Sequence, residues 1–515
     1  MRPTFMGFET ATRGLMVNQK SLDIVGNNVS NIGVTGYTRQ RTDLVSLNVN
    51  MRYTRYNQNS VPFAGQGANV YGVSQIRDKF LDKRFREEYA DVGYYSVTSG
   101  VIEDLAAAID EVTPSTMSTA ISKFQDTWGE MLSKNITEST GAANLLAQAT
   151  QIVQVFRQMS AKIDNVWGQQ QYSMSLEVEN INSILSRIAQ LNDTISQERF
   201  NSMTVGNENY RPLELLDQRN VLLDQLSQYA DISYEEQSDG QVTVWMGAKS
   251  DTNPPAVQGD AYQQLQLQVN DSDPQFKTVS VFWAASGQDV NFASGSIRGN
   301  LDMLNGRGLG ASSGRNESFT QGILYYKDKI DQFAKTFADA FNSVVELADP
   351  ATNLAYDPPR YKTLFVFEND AYENAAGITI NGDWEKDSTY LITNLVNKLD
   401  GGGDTNNTYA ARAANVFENI LDFGEFQGTI YDYITFYSVT KLGNDGDYAN
   451  SRLDAVSSIS DDLLNQIQQV SGVSMEEEGV DMLQYQKAYD AVARVFTTLD
   501  EMLDKLINGT GLVGR

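Results

Sequence analysis

The sequence predicts a multidomain α+β protein with terminal coiled-coil helices, an inner long-helix bundle domain, a small distal β-rich domain and a nested, out-and-back chain order. Three observations support this fold class. Apolar residues recur in steps of three and four at both chain ends, the period of one stripe on an α-helix. They recur in steps of two around Val244, Leu267 and Val281, which is the period of a strand. A chain of 515 residues is also longer than one hydrophobic core supports.

The two chain ends carry the clearest helical pattern, and each has the narrow apolar seam that is typical of a coiled coil. In a helix predicted for residues 4–32, the seam consists of Phe8, Ala11, Leu15, Leu22, Val25, Val29 and Ile32. Near the other end, the seam consists of Met482, Tyr485, Tyr489, Val492, Phe496, Leu499, Leu503 and Leu506. No adjacent segment supplies a matching sheet or bundle. We therefore expect the two seams to pack against each other and against further copies, and to become ordered only on assembly.

The interior combines long helices with strands. A helix is predicted from Leu145 to Ile195, with a change of phase near Trp167 that is typical of a coiled-coil stutter. An Asp239-Gly240 turn separates alternating segments and indicates a hairpin. The predicted division has four parts: terminal coiled-coil assembly segments at 1–50 and 471–515, a long-helix domain from 51–229 together with 299–347 and 426–470, a β-rich outer domain at 230–298, and a mixed insertion at 348–425.

Composition excludes several classes of function. The chain contains no cysteine and no histidine, which excludes disulfides, thiol nucleophiles, Cys/His zinc sites and histidine general bases. No apolar run reaches the length of a membrane span, and the amino terminus lacks the pattern of a secretory signal peptide. We therefore expect no catalytic residue, no cofactor, no metal and no membrane partner.

The charge distribution is acidic and uneven. The formal net charge of −27 argues against nucleic acid as a partner, because phosphate binding requires a basic surface. Residues 1–90, however, contain 12 Lys/Arg against 7 Asp/Glu, whereas residues 471–515 contain 4 against 8. This opposite sign favours pairing of the two terminal segments, although chance variation in composition explains it equally well.

Acidic and glycine-rich stretches have simpler explanations than ligand binding. The run Gly306 to Gly310 lacks the lysine and preceding strand of a phosphate loop, so a flexible connection is favoured. Asp445 and Asp447 lack the spacing of a calcium loop. The three glutamates at 476–478 fall in the first turn of a predicted helix, where negative charge complements the helix dipole.

Several motifs resemble one known family. Residues 22–31, LDIVGNNVSN, resemble the signature shared by axial proteins of the bacterial flagellum, and the following VTGYTRQ at 34–40 resembles the flagellar hook-associated protein 1 family, the hook–filament junction proteins. The stretches LLDQR at 215–219 and SGVS at 471–474 agree with that family. The motif positions that we single out are Asn27, Asn28, Ser30, Asn31, Gly36 and Tyr37. The four polar side chains of the first stretch are expected either to cap the first helix and bond to its turn or a neighbour, or only to end it.

The resemblance implies a structural protein of the flagellar axis that forms the junction between hook and filament by coiled-coil self-assembly. It implies export by the flagellar type III system, an extracellular location and a role in motility. The implied partners are other copies in a helical or ring-like layer, the hook protein, the next hook-associated protein adjoining flagellin, and an export chaperone on the C-terminal helix. The alternatives are another flagellar axial protein of the hook or rod, or a secreted coiled-coil adhesin that uses its β domain.

Overall fold

A computed structural model of the protein describes residues 6–47, 67–112, 114–133, 139–204, 210–250, 253–272, 276–308, 320–347, 349, 356–368, 372–393 and 408–509. The chain is mostly helical, with small antiparallel sheets, as the predicted α+β class requires. The helices, in chain order, are α1 Met6–Ser30, α2 Lys79–Val112, α3 Pro114–Ser133, α4 Ser139–Thr204, α5 Leu213–Tyr229, α6 Ser296–Asn305, α7 Ile323–Asn342, α8 Gly382–Lys386, α9 Thr408–Val416, α10 Ile430–Ile434, α11 Leu442–Ser471 and α12 Met475–Gly509.

The strands are short and all pair antiparallel. Their bounds are β1 Gln40–Ser46, β2 Ala68–Gln75, β3 Ile232–Glu236, β4 Val242–Met246, β5 Val257–Gln258, β6 Ala261–Tyr262, β7 Leu265–Asn270, β8 Thr278–Trp283, β9 Phe365–Phe367, β10 Ile378–Ile380, β11 Leu421–Asp422 and β12 Gln427–Gly428. A 3-10 helix covers Ser388–Ile392, and a π-helix covers Thr435–Lys441. Strands β3 to β6 form one sheet in that order, and the other strands form two-stranded pairs.

The described chain divides into two compact units. Unit 1 consists of Met1–Ala90, Ile181–Gln264 and Ser457–Arg515, and unit 2 consists of Asp91–Asn180 and Leu265–Val456. In unit 1, the predicted turn at Gly240 joins β3 to β4, and its positive φ of 90° is a conformation that favours glycine. Asn192 of α4 fixes this hairpin, because its side chain bonds to both the N–H and the carbonyl oxygen of Val242 at 3.0 and 2.8 Å.

Unit 2 has a core of closely packed aromatic rings. Phe124 of α3 is fully buried, and its ring centroid lies 5.2 Å from that of Phe341 on α7. Phe337 lies one helical turn before Phe341, with 4.7 Å between the ring centroids. Further rings, from Phe156, Phe365 and Phe417, surround this pair. The helical spacing of α7 therefore converts a sequence stripe into a continuous aromatic core.

The strands within the predicted β-rich domain at 230–298 lie in two sheets, β3–β6 and β7–β8, and the segment of unit 1 that ends at Gln264 ends inside this range. Strand β7 pairs with β8 over its whole length, and among the described residues it forms no ladder with β3–β6. Sheet membership depends on backbone pairing and not on closeness in the sequence. The first helix ends at Ser30, so Ile32 lies beyond it and exposes 45% of its surface. The predicted division of the chain into four parts remains a prediction.

Candidate assembly interface

The terminal helices α1 and α12 pack against each other within unit 1. The rings of Phe8 and Phe496 meet edge to face, with their centroids 5.1 Å apart. Gly7 faces Leu499, whereas Gly14 faces Val492. Residue numbers thus rise along one helix as they fall along the other, so the two helices run antiparallel.

Glycines allow the two helix backbones to approach closely. A Cβ atom built on Gly7 would lie 3.2 Å from Cδ1 of Leu499, and one built on Gly14 would lie 3.2 Å from Cγ1 of Val492. Both distances are tighter than ordinary van der Waals contact, so the branched side chains of α12 fill the space that the glycines leave. A pattern of large apolar residues does not reveal these glycines. Their spacing with Ala11, in steps of four and three, is the sequence feature that indicates a helix contact.

The predicted seam residues are buried to different extents between α1 and α12. Ala11 and Val25 are buried, with 4% exposure each. The remaining members on α1, and the members of the α12 seam at 485, 492, 496, 499 and 503, are half-buried. Three members of the α12 seam stay exposed, namely Met482, Tyr489 and Leu506. Buried positions that the seam did not include are Val17, Ser21, Ile24 and Asn28.

A second set of apolar side chains on α12 is exposed to solvent. This set was not predicted, and it consists of Met475, Val480, Leu483, Val495, Met502 and Ile507. Large apolar side chains repeated along one exposed helix are typical of a protein–protein contact. The contact with α1 therefore covers only part of the apolar surface of α12.

A polar cluster joins the two helices at the end of α1, and we call Asn28, Tyr37, Arg39 and Glu478 the clasp. The Glu478 carboxylate is buried, with 1% exposure. It accepts hydrogen bonds from Arg39 Nε at 2.6 Å and from Asn28 Nδ2 at 3.1 Å. Tyr37 donates from its hydroxyl to Asn28 Oδ1 at 2.9 Å. The clasp thus fixes the first turn of α12 against the last turns of α1.

Arg39 is the charge centre of the clasp. Besides Glu478, its guanidinium binds Glu477 through Nη1 at 2.5 Å and Asp481 through Nη2 at 3.1 Å. Its backbone N–H donates to the carbonyl oxygen of Ser471 at 2.8 Å. The acidic start of α12 therefore does more than complement a helix dipole, since one arginine forms ion pairs with Glu477 and Glu478 of its first turn and with Asp481 just beyond it. Sequence analysis missed this pairing because its partners are about 440 residues apart.

The remaining motif residues shape the turn after α1. Ser30 Oγ donates to the carbonyl oxygen of Gly26, and Asn31 Nδ2 donates to that of Asn27, both within the last helical turn. Asn27 Nδ2 also donates to the hydroxyl of Tyr37 at 3.3 Å. Ser30 and Asn31 thus bond to residues at the end of α1, whereas Asn27 and Asn28 also bond to the segment that follows it. The roles predicted for these residues in assembly remain predictions.

Gly36 is required by its surroundings. It has a φ of +79°, and an added Cβ would lie 2.1 Å from Cγ2 of Val221. Next to it, the Thr38 hydroxyl and backbone N–H both donate to the Asp217 carboxylate, at 2.7 and 3.2 Å. Burial raises the pKa of Asp217 to about 6, although both Thr38 hydrogen bonds oppose the shift. Burial, followed by the charges of Glu214 and Asp217, raises the pKa of Tyr37 to about 12.

The polar side chains of this region form a contact between two helices. In the described part of the chain, no group of three or more acidic side chains has a geometry that could hold a metal ion. Across the same residues, no helix combines the length and apolarity needed to cross a bilayer. Each side-chain donor of the clasp bonds to another clasp residue or to α12. The clasp therefore holds the two helices in register.

Comparison with known families gives a consistent result. Residues 102–348 match the model described as flagellar hook-associated protein FlgK helical domain. Residues 465–509 match the flagellar basal body rod FlgEFG protein C-terminal model, and residues 8–38 match the flagella basal body rod protein model. The two terminal matches thus cover most of α1 and all of α12.

Individual relatives agree with these matches. The chain is 29% identical to flagellar hook-associated protein 1 of Bacillus subtilis over 530 residues, which cover 100% of each chain. It is 23% identical to the protein of that name from Salmonella typhimurium, over 97% of this chain and 98% of the relative. A solved structure of the flagellar hook junction protein FlgK from Burkholderia pseudomallei aligns with a TM-score of 0.40 and 19% identity, over 55% of this chain and 46% of the other.

Proposed function

The chain belongs to the flagellar hook-associated protein 1 family and is a structural axial protein of the hook–filament junction, and we propose that it builds this junction by coiled-coil self-assembly of α1 and α12. The observation that carries this proposal is the incomplete burial of α12. Its exposed apolar side chains include Leu483 at 57% and Val495 at 54%. Burying such a side chain fully is worth about 1.5–3 kcal/mol, so a neighbouring copy that covers several of them gains substantial binding energy.

When one surface of a subunit contacts a different surface of the next identical subunit, repetition of this contact produces a helical or ring-like layer. In the proposed layer, the predicted seam residues and the motif residues, including Ile32 beyond the end of α1, lie at or beside the interface. The clasp would keep α1 and α12 in one register, so that every copy presents the same apolar surface. Because both chain ends belong to unit 1, the proposed nested chain order would bring the two assembly helices together.

The proposed neighbours follow from the junction role. They are the hook protein on one side and the next hook-associated protein, which adjoins flagellin, on the other. We also propose that the protein is exported by the flagellar type III system to the cell exterior, and that an export chaperone binds α12 before assembly. The exposed apolar surface of α12 supports this chaperone contact, since such a surface would otherwise promote aggregation.

A charge placed on the exposed face of α12 tests the proposal. Val495→Asp should leave the fold of the isolated chain intact, because Val495 is exposed, but it should block assembly, because the carboxylate would be buried between copies. Thr497→Asp, at an exposed polar position of the same helix, is the matched control. In cells that produce only the variant, we expect flagellin in the culture medium for Val495→Asp and normal filaments for Thr497→Asp.

Substitutions inside the helix pair give a second test. Val25→Asp or Leu499→Asp should abolish assembly while the helices and strands outside the pair remain folded. Circular dichroism would report the fold, and electron microscopy would count filaments. Normal filaments on cells carrying any one of the three assembly variants would contradict the proposed interface. The contacts between α1 and α12 within one chain oppose the expectation that these segments become ordered only on assembly, so we propose that the pair is folded in the monomer. Hydrogen-exchange protection of both helices in the monomer would support this, and its absence would restore the expected disorder.

A further inference from the structure

A second feature of unit 1 is a basic pocket in a chain with a formal net charge of −27. The pocket has a volume of about 640 Å³ and lies between the start of α2, the end of α4, α5 and the β3–β4 hairpin. Its acidic lining residues are Asp82, Glu235 and Glu236. Its basic lining residues are Arg77, Lys79, Arg86, Arg199, Arg211 and Arg219. The excess of cations over carboxylates is opposite to the charge of the whole protein.

Internal ion pairs neutralise only some of these cations. Arg77 pairs with Asp82, Arg86 pairs with Asp224, and Lys79 pairs with Glu236. Arg199 and Arg211 form no direct ion pair with any residue that the structure describes. Positive charge therefore remains at the pocket on two arginine side chains, of which Arg211 is exposed and Arg199 is half-buried.

Arg219 has an unused hydrogen-bonding edge. It is buried, with 4% exposure, and its Nη1 donates to the carbonyl oxygen of Gly240 at 2.6 Å and to Asn192 Oδ1 at 3.2 Å. Its Nε, by contrast, has no hydrogen-bond partner among the residues that the structure describes, and its Nη2 lies 3.8 Å from the nearest Glu236 oxygen. Nε and Nη2 together form the edge of a guanidinium that pairs with both oxygens of a carboxylate or phosphate.

An unpaired donor on a buried cation is unfavourable. Leaving such a group without a partner carries its full desolvation penalty, so buried donors are generally satisfied. Burial also lowers the pKa of Arg219 to about 10, despite the opposing charge of Glu236. A bound anion would supply the missing acceptor and the missing charge at the same time.

We propose that this pocket binds an oxyanion, either a carboxylate or a phosphate group, through the Nε–Nη2 edge of Arg219, with Arg199 and Arg211 at its rim. Glu236 is the competing internal carboxylate, because it faces Arg219 and is held by Lys79 at 2.9 Å. The site is independent of the helix pair α1–α12 and of the proposed junction role. Its chemistry fits an acidic side chain of a neighbouring protein as well as a free phosphate ion.

Calorimetric titration of the full-length protein tests this site. The probes are inorganic phosphate and succinate, each at constant ionic strength balanced with sodium chloride. Arg219→Lys keeps a positive charge but lacks the two-donor edge, so it should weaken binding about tenfold or more. Arg211→Gln should weaken it about threefold, because it removes one exposed charge. Stronger binding of succinate would indicate a protein carboxylate as the natural ligand, whereas stronger binding of phosphate would indicate the free ion.

The decisive variant is Glu236→Gln, because its expected effect has the opposite sign. Removing the competing carboxylate should tighten anion binding about threefold or more, whereas a purely structural pocket would show no such gain. Lys83→Gln, an exposed cation on α2 outside the pocket, is the control and should leave the affinity unchanged. The proposal is overturned if neither probe binds saturably, if Arg219→Lys binds as the wild type does, or if Glu236→Gln weakens binding.

Discussion

The helix pair α1–α12 and the aromatic core of unit 2 use apolar side chains in different ways. In the core, Phe124, Phe337 and Phe341 are completely buried and touch rings from several elements. In the pair, Phe8 and Phe496 form a ring contact of similar geometry, yet both remain half-buried. The core is thus complete within one chain, whereas the pair leaves apolar surface uncovered.

One chain can therefore contain both a core whose apolar side chains are completely buried and a helix pair whose apolar surface is only partly covered. The pair compensates for its limited burial with polar contacts: glycines let the backbones approach, and the clasp fixes the register through a buried carboxylate. The core of unit 2 combines close packing with polar contacts of its own, since the Asn342 side chain bonds to the backbone of Leu364 and Phe365. The following predictions test this contrast, beginning with the largest expected effect.

The core should be far more sensitive to truncation than the helix pair. Phe124→Ala removes a fully buried ring and leaves a cavity, so it should lower the free energy of unfolding by about 3–5 kcal/mol. Phe496→Ala, the matched truncation of a half-buried ring, should cost about half as much or less in the isolated chain. Urea denaturation followed by circular dichroism measures both. Equal losses of unfolding free energy in the two variants would contradict this prediction.

The clasp should depend on charge neutralisation. Arg39→Gln leaves the buried Glu478 carboxylate with only its Asn28 hydrogen bond, and should lower the free energy of unfolding of the α1–α12 pair by about 1.5–3 kcal/mol. Hydrogen exchange of α12 would detect this loss as reduced protection. The control is Arg13→Gln, which removes an exposed i,i+4 pair with Glu9 and should cost less than about 0.5 kcal/mol.

Asp217 should make the stability of unit 1 depend on pH. Its folded-state pKa of about 6 exceeds the ordinary value of 3.8, so the folded protein holds this proton more tightly than the unfolded chain does. The resulting stabilisation is complete below about pH 4 and is lost as the pH rises through about 6; its size is about 3 kcal/mol. Asp217→Asn should remove this component from the stability–pH profile. An unchanged slope between pH 4 and 6 would contradict the assignment.

Two glycines of the axial-protein motif should respond with opposite signs. Gly36→Ala should lower the free energy of unfolding by about 1–2 kcal/mol or more, because φ is positive and the Cβ would overlap Val221. Gly26→Ala, in the interior of α1 with no atom within 4 Å of the added Cβ, should raise it by about 0.5–1 kcal/mol. Thermal unfolding of both variants distinguishes a glycine required by its contacts from one that is not.

Local pattern was sufficient for much of the fold. The three-and-four spacing predicted the long helix α4, and Asp239-Gly240 predicted the β3–β4 hairpin, because both depend on neighbours in sequence. Helix α2 is harder to recognise from the sequence, because its mixture of charged and apolar positions obscures a continuous helical period.

The sequence by itself determined that the ends are amphipathic helices, that the chain contains no Cys/His chemistry and that its motifs resemble those of flagellar axial proteins. The folded chain was needed to show which strands share a sheet, that Arg39 pairs with carboxylates at the start of α12, and that Nε of Arg219, beside a basic pocket, has no hydrogen-bond partner among the described residues. The physical reason is the range of the interactions. Helical and strand periods are set by residues a few positions apart, whereas ion pairs and sheet membership depend on segments that become neighbours only when the chain folds.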